Sequence, residues 1–172
     1  MLSLFLALTA FNLLCLVLTA ALGYAYGGSD VTQWHALAGV VATITCCAVH
    51  CVVFTYFIAT AKWVQHAVMV KQLDPLLAAP TRSFKLQALP AALVAMGIVF
   101  AVAVTGAARA SYGVSPTSHH VLAWVAVAVN VLVAVMEYRA IARNGALIDR
   151  ILAQINSPIA AAEAPGGSTV RL

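Results

Sequence analysis

The sequence predicts an all-α integral membrane protein built as a four-helix bundle, and three observations support this prediction. The chain has 172 residues, of which 63% are hydrophobic and only 8% are charged, whereas a soluble domain carries roughly 25% charged residues. Its mean hydropathy is +0.98, and so short a chain has too much surface for its volume to bury that many apolar side chains. The apolar residues are also gathered into four long stretches. These side chains must therefore face lipid.

Four transmembrane helices account for these stretches, at about residues 2–22, 35–61, 88–108 and 119–138. Each is near or beyond the roughly 20 residues that a helix needs to cross about 30 Å of hydrocarbon. Lipid offers no partners to backbone N–H and C=O groups, and the stretches lack the two-residue alternation of a barrel strand, so helices are the spanning form. We expect the first helix to be retained, because no Lys or Arg precedes it and it is longer than the apolar part of a secretory signal.

The basic residues predict how the helices cross the membrane. Only Arg109 lies in one of the two short connections. The other eight lie in the long connection after the second helix or in the tail after the fourth helix: Lys62, Lys71, Arg82, Lys85, Arg139, Arg143, Arg150 and Arg171. Because Lys and Arg collect on the cytoplasmic side, we expect a multi-pass protein of the cell membrane with both termini in the cytoplasm.

The second and fourth helices are predicted to extend beyond the membrane on the cytoplasmic side. Residues 62–73 contain no Gly or Pro, and isoleucines recur at helical spacing between Ile141 and Ile155. The pair Asn144 and Gly145 leaves an alternative, because such a pair often terminates a helix. Residues 146–155 would then form a separate amphipathic helix on the membrane surface.

The remaining segments set the domain boundaries. Residues 74–88 are expected to form a loop that leads to a third helix with Pro90 in its first turn. We assign residues 1–156 to one transmembrane domain, without an internal repeat, because the histidine spacings and loop lengths of the two helix pairs differ. From residue 157 the composition turns to Pro, Gly, Ala and Ser, so a disordered C-terminal tail is predicted over 157–172.

Three histidines are expected at one level near the outer membrane face. His35 begins the second helix, and His119 and His120 begin the fourth. Neutral imidazoles that converge from different helices are ligands for haem or a transition metal. A haem b would use His35 with either His119 or His120, and copper or zinc could use all three. The alternative is that they are interfacial residues, because Trp34 and Trp124 flank them as in an aromatic belt.

His50 lies fifteen residues after His35, which resembles membrane cytochromes that hold two haems in a four-helix bundle. Those proteins carry two more histidines at matching positions on a partner helix. Here Val133 and Ala134 stand fourteen and fifteen residues after His119. A second bis-histidine pair is therefore not expected.

Glu137 is predicted to lie at the depth of His50, because it is seventeen residues, or about 25 Å, from His120 along the fourth helix. If the two side chains face each other, they form a buried acid and base that handles protons or contacts a quinone. The alternatives are a structural hydrogen bond between helices or snorkelling of Glu137 towards Arg139 and Arg143.

Other polar side chains near mid-membrane are expected to be structural. Asn12, Thr43 and Asn130 fall at comparable depth on three helices, where hydrogen bonds fix which helices are neighbours. Cys46 and the cysteines near it lack the spacing of a metal site on one helix. We interpret them as small residues that allow close helix packing.

No Ser-His-Asp set, HExxH motif, phosphate-binding loop or nucleotide-binding glycine motif is visible. The scattered basic residues form no basic face, so no nucleic-acid partner is expected. The sequence favours an accessory or assembly subunit of a larger membrane complex over an autonomous enzyme. Its expected partners are the lipid bilayer and other membrane subunits or further copies of the chain. The alternative is a membrane redox protein that binds a single haem b or a metal through the outer histidines.

Overall fold

The computed structural model describes residues 1–25 and 32–163, and within them it contains four long helices and no strand. These are α1 (Leu2–Ala25), α2 (Thr32–Val70), α3 (Ala79–Tyr112) and α4 (Pro116–Glu163). All four are long and apolar enough to cross a membrane, yet only 22–28% of each apolar window is buried inside the protein. The predicted all-α four-helix bundle is confirmed, and its outer surface is suited to lipid.

The helices are arranged so that α2 and α4 lie diagonally across the bundle. Helix α1 packs against α2 and α4, and α3 packs against the same two helices. Inward-facing side chains of α2 and α4 therefore approach each other across the bundle axis, where sites in helix bundles are commonly built.

Both diagonal helices are longer than a bilayer requires. With 39 and 48 residues, α2 and α4 extend over about 58 Å and 72 Å at 1.5 Å per residue, against about 30 Å of hydrocarbon. The excess forms what we call the stalk: residues 62–70 of α2, 79–88 of α3 and 139–163 of α4. The predicted extension of the second and fourth helices is thus observed.

The third helix begins earlier than expected. It starts at Ala79, after a single 3-10 turn over Pro75–Ala78, and Pro90 lies inside it. The expected loop over 74–88 and the placement of Pro90 in the first turn are therefore wrong. Pro80 occupies the first turn instead, where a residue without an N–H group is tolerated.

Helix α4 passes through Asn144 and Gly145 without interruption. The Asn144 amide donates hydrogen bonds to the Tyr56 hydroxyl and the Thr60 hydroxyl, each at 3.0 Å, and Ile151 is fully buried farther along the helix. Tertiary contacts of this kind override a weak local preference to terminate. The alternative of a separate surface helix over 146–155 is therefore wrong. Helix α4 continues over residues 157–163 of the predicted disordered tail. The rest of that tail, residues 164–172, lies outside the described residues and stays a prediction.

The buried apolar side chains form two clusters along the bundle axis. The first, which we call the outer layer, contains Leu16, Ala42, Cys46, Val99 and Ala126. The second lies towards the stalk and includes Val53, Phe57, Val64, Ala140 and Ile151. Polar residues of α1, α2 and α4 occupy the chain positions between the two clusters. Polar side chains thus separate two apolar parts of the core.

Candidate functional site

His35 and His119, which we call the outer histidine pair, face each other near one end of the bundle. Their ring centres are 6.2 Å apart and the ring planes are nearly perpendicular, at 86°. His119 is buried and His35 is half-buried. The diagonal placement of α2 and α4 therefore brings together two of the three histidines that were expected at this level.

A glycine on the neighbouring helix makes room for each ring. A Cβ atom built on Gly23 of α1 would lie 3.0 Å from Cε1 of His35, and one on Gly106 of α3 would lie 2.9 Å from Cε1 of His119. The two helical hairpins thus repeat one arrangement, a glycine late in the first helix and a histidine early in the second. The nearly equal separations of twelve residues from Gly23 to His35 and thirteen from Gly106 to His119 are the sequence signal of this arrangement.

Thr105 of α3 fixes which nitrogen of His119 carries the proton. The Thr105 hydroxyl donates to the Val102 carbonyl at 3.0 Å, and its oxygen lies 3.3 Å from Nδ1 of His119. When the single hydroxyl hydrogen lies on the Val102 carbonyl, Nδ1–H of His119 is the donor in the second contact. Nε2 then keeps its lone pair, which is the form of imidazole that binds a metal.

His120 occupies a different environment. Its ring lies against Tyr24, with ring centres 4.3 Å apart, and 6.1 Å from the ring of His119. Within residues 1–25 and 32–163, no group of three or more His, Cys, Asp or Glu side chains is placed to hold a metal ion. The three-histidine copper or zinc site is therefore not found, and the geometry favours His119 over His120 as the counterpart of His35.

The spacing of the outer histidine pair can be compared with that of known metal sites. Each metal–nitrogen bond is about 2 Å long, so two imidazoles on opposite sides of one metal have ring centres about 6 Å apart. The observed 6.2 Å agrees with this value. Nδ1 of His35 is buried and has no hydrogen-bond partner in the described part of the chain. In ring-centre distance, the pair thus matches two imidazoles on one metal.

A second site, which we call the central network, consists of Asn12, Cys46, His50, Asn130 and Glu137. Nδ1 of His50 lies 2.8 Å from Oε1 of Glu137, and these side chains are only 3% and 1% exposed. Glu137 therefore lies inside the bundle and does not snorkel towards the arginines that follow it. The structure brings together the acid and base that the sequence places at one depth.

Asn130 is the centre of this network. Its amide nitrogen donates to the Ala126 carbonyl at 2.9 Å, which leaves Oδ1 as an acceptor on the bundle axis. Oδ1 lies 3.3 Å from Nε2 of His50, 3.4 Å from the amide nitrogen of Asn12 and 3.3 Å from Sγ of Cys46. One oxygen atom thus connects α1, α2 and α4, as was expected of Asn12 and Asn130. The contact of Cys46 was missed.

The hydrogen bonds of Asn130 determine the protonation of His50. Because Oδ1 can only accept, Nε2 of His50 must carry a hydrogen. The contact between Nδ1 of His50 and Oε1 of Glu137 then holds one further proton. That proton lies on the acid, which leaves both groups neutral, or on the base, which makes an ion pair. The net charge of the pair is zero in both forms.

Further polar side chains of α2 and α4 lie outside these two sites. The Thr43 hydroxyl donates to the Gly39 carbonyl of its own helix at 2.8 Å, so the expectation that Thr43 joins helices is wrong: a hydroxyl on a helix can bond to the carbonyl one turn earlier. Asn144, Tyr56 and Thr60 form a separate group, the stalk polar cluster, through the two 3.0 Å bonds of Asn144.

The two candidate sites differ in what they can do. The outer histidine pair brings two imidazole rings together from diagonal helices, and the central network presents an acid and a base that share a proton. Comparisons of the chain with models of known protein families, with curated proteins and with solved structures find no match.

Proposed function

We propose that this polytopic membrane protein is a redox subunit that holds one haem b between His35 and His119. The observation that supports the proposal is the 6.2 Å between their ring centres on diagonal helices, which equals the spacing of two imidazoles across a metal. Haem, when bound, supplies one-electron transfer at its iron. The distribution of Lys and Arg along the sequence supports an orientation with the outer histidine pair at the outer face and both termini in the cytoplasm.

The other residues of this end position the two imidazoles. Thr105 accepts a hydrogen bond from Nδ1–H of His119 and so directs Nε2 away from Thr105. Gly106 and Gly23 leave the space that the two rings occupy. Such supporting contacts commonly set the affinity of a ligand set for its metal.

Optical spectroscopy of the purified protein tests the proposal. The chain is produced in haem-replete cells, purified in mild detergent, and assayed by its absorption spectrum and by pyridine haemochrome. We expect a Soret band and about one haem per chain. His35→Ala and His119→Ala should each abolish haem binding, whereas His66→Ala, at an exposed stalk position, should retain it.

Two outcomes would overturn the haem proposal. One is wild-type protein from haem-replete cells that carries no haem. The other is retention of a full complement of haem in both His35→Ala and His119→Ala. Thermal unfolding of each variant distinguishes a lost ligand from a lost fold.

An accessory or assembly role in a larger membrane complex is the second candidate function, and the two roles are compatible. Exposed apolar side chains of the stalk and of the turn that follows its α2 section favour this role: Met69, Val70 and Leu76 are 70%, 57% and 75% exposed. Large apolar side chains grouped on a surface beyond the bilayer mark a site of protein contact. We propose that a further membrane subunit or a second copy of this chain covers them.

Native mass and co-purification test this second candidate. Purification in mild detergent should yield an assembly larger than one 17.9 kDa chain, and the double variant Met69→Glu with Leu76→Glu should release it. Lys71→Glu, which changes charge without removing apolar surface, is the matched control. A monomer from native membranes would contradict the accessory role.

A further inference from the structure

The central network is a buried acid–base pair that the haem proposal does not use. We infer that Glu137 and His50 form a proton-binding site that exchanges its proton with water at the stalk end of the bundle, by way of Asn144, Tyr56 and Thr60. The inference does not depend on whether haem binds at the other end. Three features of the structure support it.

The first feature is that the pair holds a proton without net charge. Transfer across the 2.8 Å contact breaks the O–H bond of Glu137 and forms an N–H bond on Nδ1 of His50, or the reverse. In exchange with water, one proton enters the pair and one leaves it, so the charge returns to zero. The pair therefore avoids leaving an uncompensated charge inside the membrane, which is costly.

The surroundings contain few competing groups. From α2, the titratable side chain of Cys46 contacts Asn130. Helix α1 contributes the uncharged Asn12, and the buried residues of α3 at its membrane section are Ala92, Ala95 and Val99. Cys46 is thus the titratable side chain that joins the pair in the network, whereas Cys47, Cys51 and Tyr138 share this level but are half-buried or exposed.

The second feature is an unsatisfied acceptor beside the pair. Asn12 is only 2% exposed, and its Oδ1 has no hydrogen-bond partner among the residues that the structure describes. Oγ1 of Thr9, one turn away on α1, is likewise a buried atom without a hydrogen-bond partner among the described residues. Buried polar atoms are normally satisfied by protein or by ordered water. A water molecule at Asn12 would satisfy this oxygen and hydrate the network.

The third feature indicates the direction of exchange. Glu137 and Asn144 are seven residues apart on α4, or about 10 Å, with Val53, Phe57 and Ala140 between the two polar groups. Towards the other end, Asn130 and His119 are eleven residues apart, or about 16 Å, and the outer layer fills that interval. A short chain of water molecules can bridge the smaller gap when the helices fluctuate. The nearer polar group is therefore Asn144 on the stalk side, which is buried and bonded to the half-buried Tyr56 and Thr60.

Hydrogen–deuterium exchange at His50 tests the inference in lipid nanodiscs. Protein labelled with 15N-histidine is transferred from H2O to D2O, and the Nδ1 signal of His50, identified by its loss in His50→Gln, is followed by NMR. We expect exchange in the wild type. Asn144→Leu should slow it about tenfold, because the gap loses a hydrogen-bonding group for water, and Tyr56→Phe should slow it in the same direction.

A control on the opposite side separates the two routes. Thr19→Val removes a half-buried hydroxyl from the outer half of α1 at nearly constant volume, and it should leave the exchange rate unchanged. Melting temperatures of all variants verify that the bundle is intact. The inference is overturned if wild-type His50 does not exchange, if Asn144→Leu and Tyr56→Phe exchange as fast as the wild type, or if Thr19→Val is the variant that slows exchange.

Discussion

At the residue scale, single small side chains decide where the functional groups lie. Gly23 and Gly106 have no Cβ atom, which leaves space for the rings of His35 and His119 to lie against α1 and α3. Histidine positions could be read from the sequence, because an imidazole inside a membrane span calls for a role. The role of the glycines could not be read from the sequence. A glycine in a transmembrane helix is common, and only the packing of two helices shows which side chain it accommodates.

Gly106→Ala should therefore impair the outer site. The added methyl group would lie 2.9 Å from the ring of His119, so the ring must move, and overpacking of this kind lowers haem affinity by about tenfold or more. Gly97→Ala is the matched control in the same helix, since nothing in the described part of the protein lies within 4 Å of its added atom. Haem titration of the two purified variants measures the difference. Equal affinity would show that the glycine has no part in the site.

Asn130→Leu should destabilise the bundle. The substitution removes the acceptor of contacts from Asn12, Cys46 and His50, and at roughly 0.6 kcal/mol for each bond the loss amounts to about 2 kcal/mol of unfolding free energy. Thr43→Val should cost under about 0.5 kcal/mol, because that hydroxyl bonds only within its own helix. Unfolding in mixed micelles gives both values. A larger loss in Thr43→Val than in Asn130→Leu would contradict the assignment.

At the element scale, the sequence predicts a helix correctly where the length of an apolar stretch determines it. It does not predict the ends of helices where Pro or Gly competes with tertiary packing. The four spans follow from apolar stretches that must satisfy their backbone in lipid. The start of α3 was misplaced because Pro80 and Pro90 both fit a helix N-terminus by residue type. The continuity of α4 at Gly145 depends on contacts of Asn144 with another helix, which no local pattern contains.

The stalk section of α4 should be stabilised mainly by its buried stripe. Ile151→Ala creates a cavity at a fully buried position, and such changes cost about 2–5 kcal/mol. Leu152→Ala, at a neighbouring position that is 40% exposed, should cost much less. Thermal unfolding followed by circular dichroism compares the two. Similar melting temperatures would show that the stalk helices do not pack in water as they do here.

At the scale of the whole molecule, the order of the helices decides which polar side chains meet. The sequence could place the histidines and Glu137 by depth, because rise per residue converts numbering into distance. It could not show that α2 and α4 are diagonal, and this arrangement selects His119 over His120 and joins His50 to Glu137. Helix order in a bundle depends on packing between faces that all look apolar in sequence.

The orientation of the molecule can be tested independently. If positive charge sets the topology, a reporter fused after Leu172 should be active only in the cytoplasm, and one inserted after Ser115 should be active only outside. Protease accessibility in sealed vesicles gives a second measurement. Exposure of Leu172 at the outer surface would invert the assignment and place the stalk outside the cell.

The ligation of iron in the purified protein decides whether His35 and His119 hold a haem. Resonance Raman and electron paramagnetic resonance spectra of the purified protein should report a six-coordinate, low-spin iron with two imidazole ligands. In His119→Gly the spectra should change to a high-spin form and return to the low-spin form when imidazole is added, whereas His120→Gly should match the wild type. Haem-free wild-type protein, or low-spin spectra that His119→Gly leaves unchanged, would contradict the account.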